Sequence, residues 1–182
     1  MYKHILAPVD GSETSNLALI EAIRLAKDQQ GALRLIHVVD ETPPYLFSEV
    51  PFPIVEYGKD LHHASEKLLA DCAARVRDSG VSFDTKRLSI NSLTRRICDE
   101  INDEAKSWPA DLIVIGTHGR RGFDRFWLGS VAESVIRTAT KPVLIIRGRQ
   151  GSSSGIKMDR VSFPVTYLVS KLVGCMLSPP KP

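Results

Sequence analysis

Cysteine is scarce: Cys72, Cys98 and Cys175 are the three in 182 residues, an odd number at wide spacing. They form no CxxC pair and no metal-ligand spacing, which argues against a disulfide framework or a thiolate zinc site. Reduced thiols in a cytoplasmic protein are the expectation. A secretory signal is also missing, because Met1-Tyr2-Lys3-His4 runs straight into the strand-like Ile5-Leu6-Ala7-Pro8-Val9. No GxxxxGK(S/T) loop occurs, so the P-loop nucleotide hydrolases are excluded, and the glycines do not make the GxGxxG dinucleotide fingerprint. No Ser/His/Asp or Cys/His set can be assigned as nucleophile and base, so no catalytic residue is named. Charge of one sign is lacking as well. Residues 148–182 hold five basic side chains against Asp159, which leaves −1 of the overall +3 for the first 147 residues. The folded body therefore carries no bias toward nucleic acid.

What is present is ordinary for a soluble domain, with 43% apolar and 25% charged residues over a length that suits one domain. Residues 2–9 read as a short apolar strand broken by Asp10-Gly11-Ser12, with Ser12 as N-cap of a helix over 13–29 that Gly31 stops. Leu17, Ile20 and Ile23 are expected on its buried face, beside Ala22 and Ala26. A second strand spans 32–39, and a proline-rich aromatic connection follows through Pro43, Pro44, Pro51 and Pro53. A long helix from Tyr57 to Asp78 carries Leu61, Leu68, Cys72 and Val76. A strand over 81–88 precedes a helix marked by Leu93, Ile97, Ile101 and Ala105. Asp111–Ile115 reads as a strand buried on both faces, Ser130–Thr138 as a helix, and Pro142–Ile146 as a fifth strand. The strict alternation implies an α/β fold, a five-stranded parallel sheet flanked by helices on both faces. Ligands in such sheets sit beyond the carboxyl ends of the strands where the strand order reverses, so the ends of strands one, two and four are the places to look.

After the fourth strand, Gly116 and Gly119 allow close backbone approach, and Gly129-Ser130 opens a helix whose first amides lack intrahelical partners. A glycine loop feeding a helix N-terminus suits phosphate. A competing reading is equally open on spacing alone: Ser130-x-x-Glu133 has the form of a capping box, which would satisfy the same amides without a ligand.

The pattern Gly116-x2-Gly119-x9-Gly129-Ser130 resembles the G-2x-G-9x-G-(S/T) signature of ATP-binding universal stress proteins. The flanks Val114-Ile115, Val131-Ala132-Glu133 and Lys141-Pro142-Val143-Leu144 are similar to that family, as are Ile5–Ser12 and His37-Val38-Val39-Asp40. The resemblance covers residues 1–147, and implies a Rossmann-like fold of the adenine nucleotide α-hydrolase type. It implies ATP as ligand, with Asp10 at the ribose or the metal-bound phosphates and Pro8 and Val9 shaping that edge. Val38 would meet adenine through its main chain and Ile115 would flank the base. Gly116, Gly119, Gly129, Ser130 and Val131 would line ribose and phosphates. Because carboxylates repel phosphates, Mg²⁺ or Mn²⁺ is the expected companion, with no metal ligand set readable. A homodimer through the last strand is implied too, with nucleotide occupancy acting as a signal in a stress response. Any ATP hydrolysis would be slow.

Single residues keep their simpler readings beside these. Asp10 is also placed to be a turn or capping residue. His118 could contact a phosphate or pack on the surface, and Arg120, Arg121 and Arg125 could clamp phosphate or form a solvated loop. His62 and His63 are adjacent on a helix and point apart, so they cannot ligate together as an i, i+4 pair would. Two functions of other classes remain: a ligand-free dimeric scaffold with Ser130 as a cap, and an adenylyl-transferring enzyme, for which the HxGH and SGGxDS motifs are missing. Residues 148–155 have linker composition. The apolar stretch 161–177, with Pro164 and Lys171, is a poor membrane span. An added helix or strand on a partner, weak surface binding and disorder stay open for it.

Overall fold

A computed structural model of the chain describes residues 1–42, 54–117 and 128–148. The expected alternation is realised as β1 (His4–Pro8), α1 (Glu13–Gln29), β2 (Ala32–Asp40), α2 (Ile54–Arg77), β3 (Ser82–Ile90), α3 (Ile97–Ser107), β4 (Leu112–Gly116), α4 (Ser130–Thr138) and β5 (Val143–Ile146). All strands run parallel in the order β3-β2-β1-β4-β5. The order reverses between β1 and β4, which makes that boundary the switch point.

Period-two alternation divides the core. Ile5, Ala7, Leu33, Leu35 and Val114 point to the face covered by α1 and α2, while Leu6, Ile36, Ile113 and Ile115 point to the face covered by α3 and α4. β4 is buried along its whole length, as its unbroken apolar run required. Each fully buried Leu or Ile contributes roughly 1.5–3 kcal/mol, so the central strands carry most of the apolar gain.

Three expectations need correction. The buried face of α1 is Ser15, Ala18, Leu19, Ala22 and Ala26, whereas Ile20 is 56% exposed and Leu17 and Ile23 are half-buried. Small residues win that face because α1 lies close on β1 and β4, where a larger side chain would push the helix away. The left-handed position ending α1 is filled by Gln30 (φ 50°), not by Gly31, whose amide donates to the Ala26 carbonyl at 2.8 Å. Leu93 lies ahead of α3 and is 67% exposed, so the spacing-four series starts at Ile97. The start of α1 agrees with expectation: Ser12 Oγ accepts from the Ser15 amide at 3.2 Å.

Candidate functional site

β1 stops short of both its neighbours at the carboxyl edge of the sheet, and this shapes that edge. Pro8 pairs with Ile36 and Leu6 with Ile113, so by register Pro8 is level with Ile115. β2 continues to Asp40 and β4 to Gly116, while the chain after β1 turns away at Asp10. Val38 and Thr117 therefore flank the notch left by β1. Peptide orientation alternates along β2: Ala32 N and Ile36 O bond to β1-side partners, Lys3 O and Val9 N, whereas Glu41 N donates to Ile90 O beside β3. Val38, two residues on from Ile36, thus turns its main-chain N–H and C=O toward the notch.

The turn at Asp10 is held from within. Asp10 Oδ1 accepts from the Ser12 amide at 2.9 Å and from Ser12 Oγ at 2.7 Å, and the Asp10 amide donates to buried Ser15 Oγ at 3.1 Å. Gly11 takes φ 80° to close it. Of the two simpler readings of Asp10 the turn is realised, with Oδ1 engaged by Ser12, while the cap of α1 is Ser12 itself.

Across the notch, Gly116 has a steric reason of its own. A Cβ there would stand 2.6 Å from the Thr14 carbonyl carbon and 2.8 Å from the Ser15 amide nitrogen. The end of β4 and the first turn of α1 therefore touch backbone to backbone. Beyond it, the Thr117 amide donates to Ile146 O at 2.9 Å and the Gly129 amide donates to Thr117 O at 2.7 Å. These two bonds tie the residue after β4 to β5 and to the cap of α4, and so set α4 at the carboxyl edge.

The N-terminus of α4 overturns the capping-box expectation. Gly129 is the N-cap and Ser130 the first helical residue, and among the described residues no side chain caps the helix. Glu133 sits one position too far along for the box: its amide donates to Gly129 O, and its carboxylate lies 3.5 Å from Arg137. The amides of Ser130, Val131 and Ala132 precede that first i→i−4 bond and carry the partial positive charge of the helix end. Ser130 is exposed, and Leu128, Val131, Val38 and Ile115 all pack against the α3–α4 side of the core.

Pro8, Val9, Asp10, Val38, Ile115, Gly116, Gly129, Ser130 and Val131 thus come together around β1, β2, β4 and the start of α4. His118 and Gly119 lie outside the described residues, as do Arg120, Arg121, Arg125, the proline-rich connection and the stretch 149–182. His62 and His63 both lean on Glu66, at 3.1 and 4.0 Å. No group of three or more His, Cys, Asp or Glu suited to a metal is found among the described residues. Cys72 and Cys98 are buried, and burial pushes the Cys72 thiol up to about 11 and raises that of Cys98, so neither is primed as a nucleophile.

Two features escaped the sequence reading. His37 is buried, with Nδ1 2.6 Å from the Val9 carbonyl. Its only signal was a polar residue inside an apolar strand. Away from the site, buried Glu104 accepts from Arg34 at 2.7 Å and from Lys86 at 2.6 Å, and Arg34 also pairs with Asp84 and lies 4.8 Å over the Trp108 ring. Burial pushes the Glu104 carboxyl up, yet the bonds from Lys86 and Arg34 outweigh it and hold it below its ordinary value.

A family model for the universal stress protein family matches residues 1–147. Universal stress protein MJ0531 of Methanocaldococcus jannaschii is 34% identical over 148 residues, covering 81% of this chain and 83% of that protein. The solved structure of hypothetical protein MJ0577 superposes with a TM-score of 0.70 at 27% identity, over 83% of this chain and 99% of that one. A universal stress protein from Archaeoglobus fulgidus in complex with dAMP shares the fold, with a TM-score of 0.56 at 24% identity over 80% of this chain and 98% of that one.

Proposed function

The chain belongs to the universal stress protein family, and from that premise we propose that it binds ATP at the notch between β2 and β4, as a nucleotide-dependent module of a stress response. The observation that carries this reading is the N-terminus of α4, which has a glycine cap and, among the described residues, no side-chain cap, set at the switch point of the sheet. Phosphates are the natural partners of such amides. A family structure that holds dAMP supports an adenine nucleotide as the ligand class.

Within this reading Val38 recognises adenine with its main-chain N–H and C=O, which turn toward the notch. Ile115 flanks the base, Pro8 and Val9 form the edge, and Asp10 stands at the ribose or the phosphate end. Gly116, Gly119, Gly129, Ser130 and Val131 line ribose and phosphates, with His118 as a further phosphate donor. Mg²⁺ or Mn²⁺ accompanies the nucleotide. Since Asp10 Oδ1 is engaged by Ser12, the phosphates rather than this carboxylate are the main ligands of that cation. The protein's own role is to bind and signal, with hydrolysis slow or incidental.

The capping-box alternative behind a ligand-free scaffold loses its support, because Ser130 is not the cap. We also propose a homodimer through β5, an edge strand whose Ile145 is 36% exposed; Ile136 of α4 is 40% exposed. The nucleotide claim is tested by acid extraction of protein purified without added nucleotide, followed by separation of the released bases. Adenine nucleotide in a fixed ratio to protein is expected. Extracts free of it, together with no thermal shift at saturating MgATP, would sink the reading.

A further inference from the structure

The Val9 carbonyl follows directly on β1, ahead of the Asp10 turn, and an unusual donor takes it. Val9 is 4% exposed and His37 is 7% exposed, so both groups must find partners inside the protein. The Val9 amide donates to Ile36 O at 2.8 Å, and its carbonyl lies 2.6 Å from His37 Nδ1. A carbonyl only accepts, so Nδ1 carries the proton. In a continuing parallel ladder that carbonyl would be offered to the next β1-facing amide of β2, which belongs to Val38. The imidazole takes that acceptor, and β1 leaves the sheet at this point.

We propose that His37 is a positioning residue for base recognition: its Nδ1–H clasps the Val9 carbonyl, ends the β1–β2 ladder, and leaves the Val38 main chain facing the notch. The clasp also fixes where the Asp10 turn begins, since Val9 is tied on both its polar groups to consecutive residues of β2. The proposal rests on the nucleotide-binding reading above and adds a residue that does not touch the ligand. A purely structural histidine would stabilise the fold and leave affinity unchanged.

The test compares the full chain with His37→Phe, which keeps the ring and removes the donor, and His37→Asn, whose amide can restore it. Calorimetric titration with MgATP is expected to show about a tenfold loss for His37→Phe, the size of one lost hydrogen bond. His37→Asn should recover to within about threefold of the parent. Equal affinity for His37→Phe and the parent overturns the proposal, as does a loss that His37→Asn fails to recover. Should His37→Phe not fold, a long-range ¹H–¹⁵N imidazole correlation on the unaltered chain decides instead. A protonated Nδ1 supports the clasp, and a neutral ring protonated only at Nε2 overturns it. A parent chain that binds no MgATP defeats the nucleotide reading, whereas the tautomer test speaks to the clasp alone.

Discussion

A methyl group on Gly116 would stand 2.6 Å from the carbonyl carbon of Thr14, so packing demands glycine there whether or not a phosphate approaches. The clash is with backbone, which cannot swing aside. Gly116→Ala should therefore cost about 2–3 kcal/mol, read from urea unfolding, before any effect on ligand is considered. Ser130 behaves in the opposite way. It is exposed and is not the cap of α4, so Ser130→Ala should leave stability within about 0.5 kcal/mol while weakening MgATP severalfold. A loss near 1 kcal/mol in the unfolding midpoint, with affinity intact, would return Ser130 to a capping role. From sequence, both residues looked alike, as members of one glycine-serine signature. Only the positions of Thr14 and Gly129 separate a packing requirement at Gly116 from an exposed first helical residue at Ser130.

At the scale of elements, the pattern of strands and helices was legible because burial on two faces leaves unbroken apolar runs, as in Leu112–Gly116. Which face of α1 turns inward was legible only in part. Ala22 and Ala26 are buried as expected, but hydrophobicity favoured Ile20 where close helix-on-sheet contact selected Ala18 and Leu19. The polar seam between β2, β3 and α3 was equally hidden, since Arg34, Lys86 and Glu104 lie far apart in the chain. Glu104 has a carboxyl pKa below its ordinary value, so the stability it contributes is fully present above the unfolded value, near pH 4.5, and is lost as pH falls through the folded one. Glu104→Gln should flatten this acid limb in pH-dependent thermal unfolding. Glu104→Ala, which leaves Arg34 with Asp84 alone and removes the carboxylate partner of half-exposed Lys86, should cost about 2 kcal/mol at neutral pH. An unchanged acid limb in Glu104→Gln would remove the network from the account.

For the whole molecule, the order β3-β2-β1-β4-β5 does two things at once. It puts β1 between β2 and β4, which both run past its carboxyl end, creating the notch, and it leaves β5 at an edge. Thr117 joins the two places, bonding to Ile146 of β5 through its amide and to Gly129 through its carbonyl. The proposed dimer predicts that the chain sediments as twice its mass of 20.1 kDa, and that Ile145→Lys converts it to a monomer that still folds. A parent chain that sediments as a monomer at high concentration would contradict that interface. The alternation in the sequence foretold the parallel sheet, and the glycine spacing pointed to the end of β4 and the start of α4 as the place to look for a ligand. It could not foretell that β1 stops short or that His37 holds its end, because both depend on strands meeting across the sheet. The central claim, nucleotide held at the start of α4, is tested most directly by calorimetric titration of the full chain with MgATP, with Gly119→Val titrated beside it. Saturable binding with one site per chain, abolished by the valine side chain, is the predicted result. No heat at millimolar nucleotide, or equal binding by Gly119→Val, would contradict it.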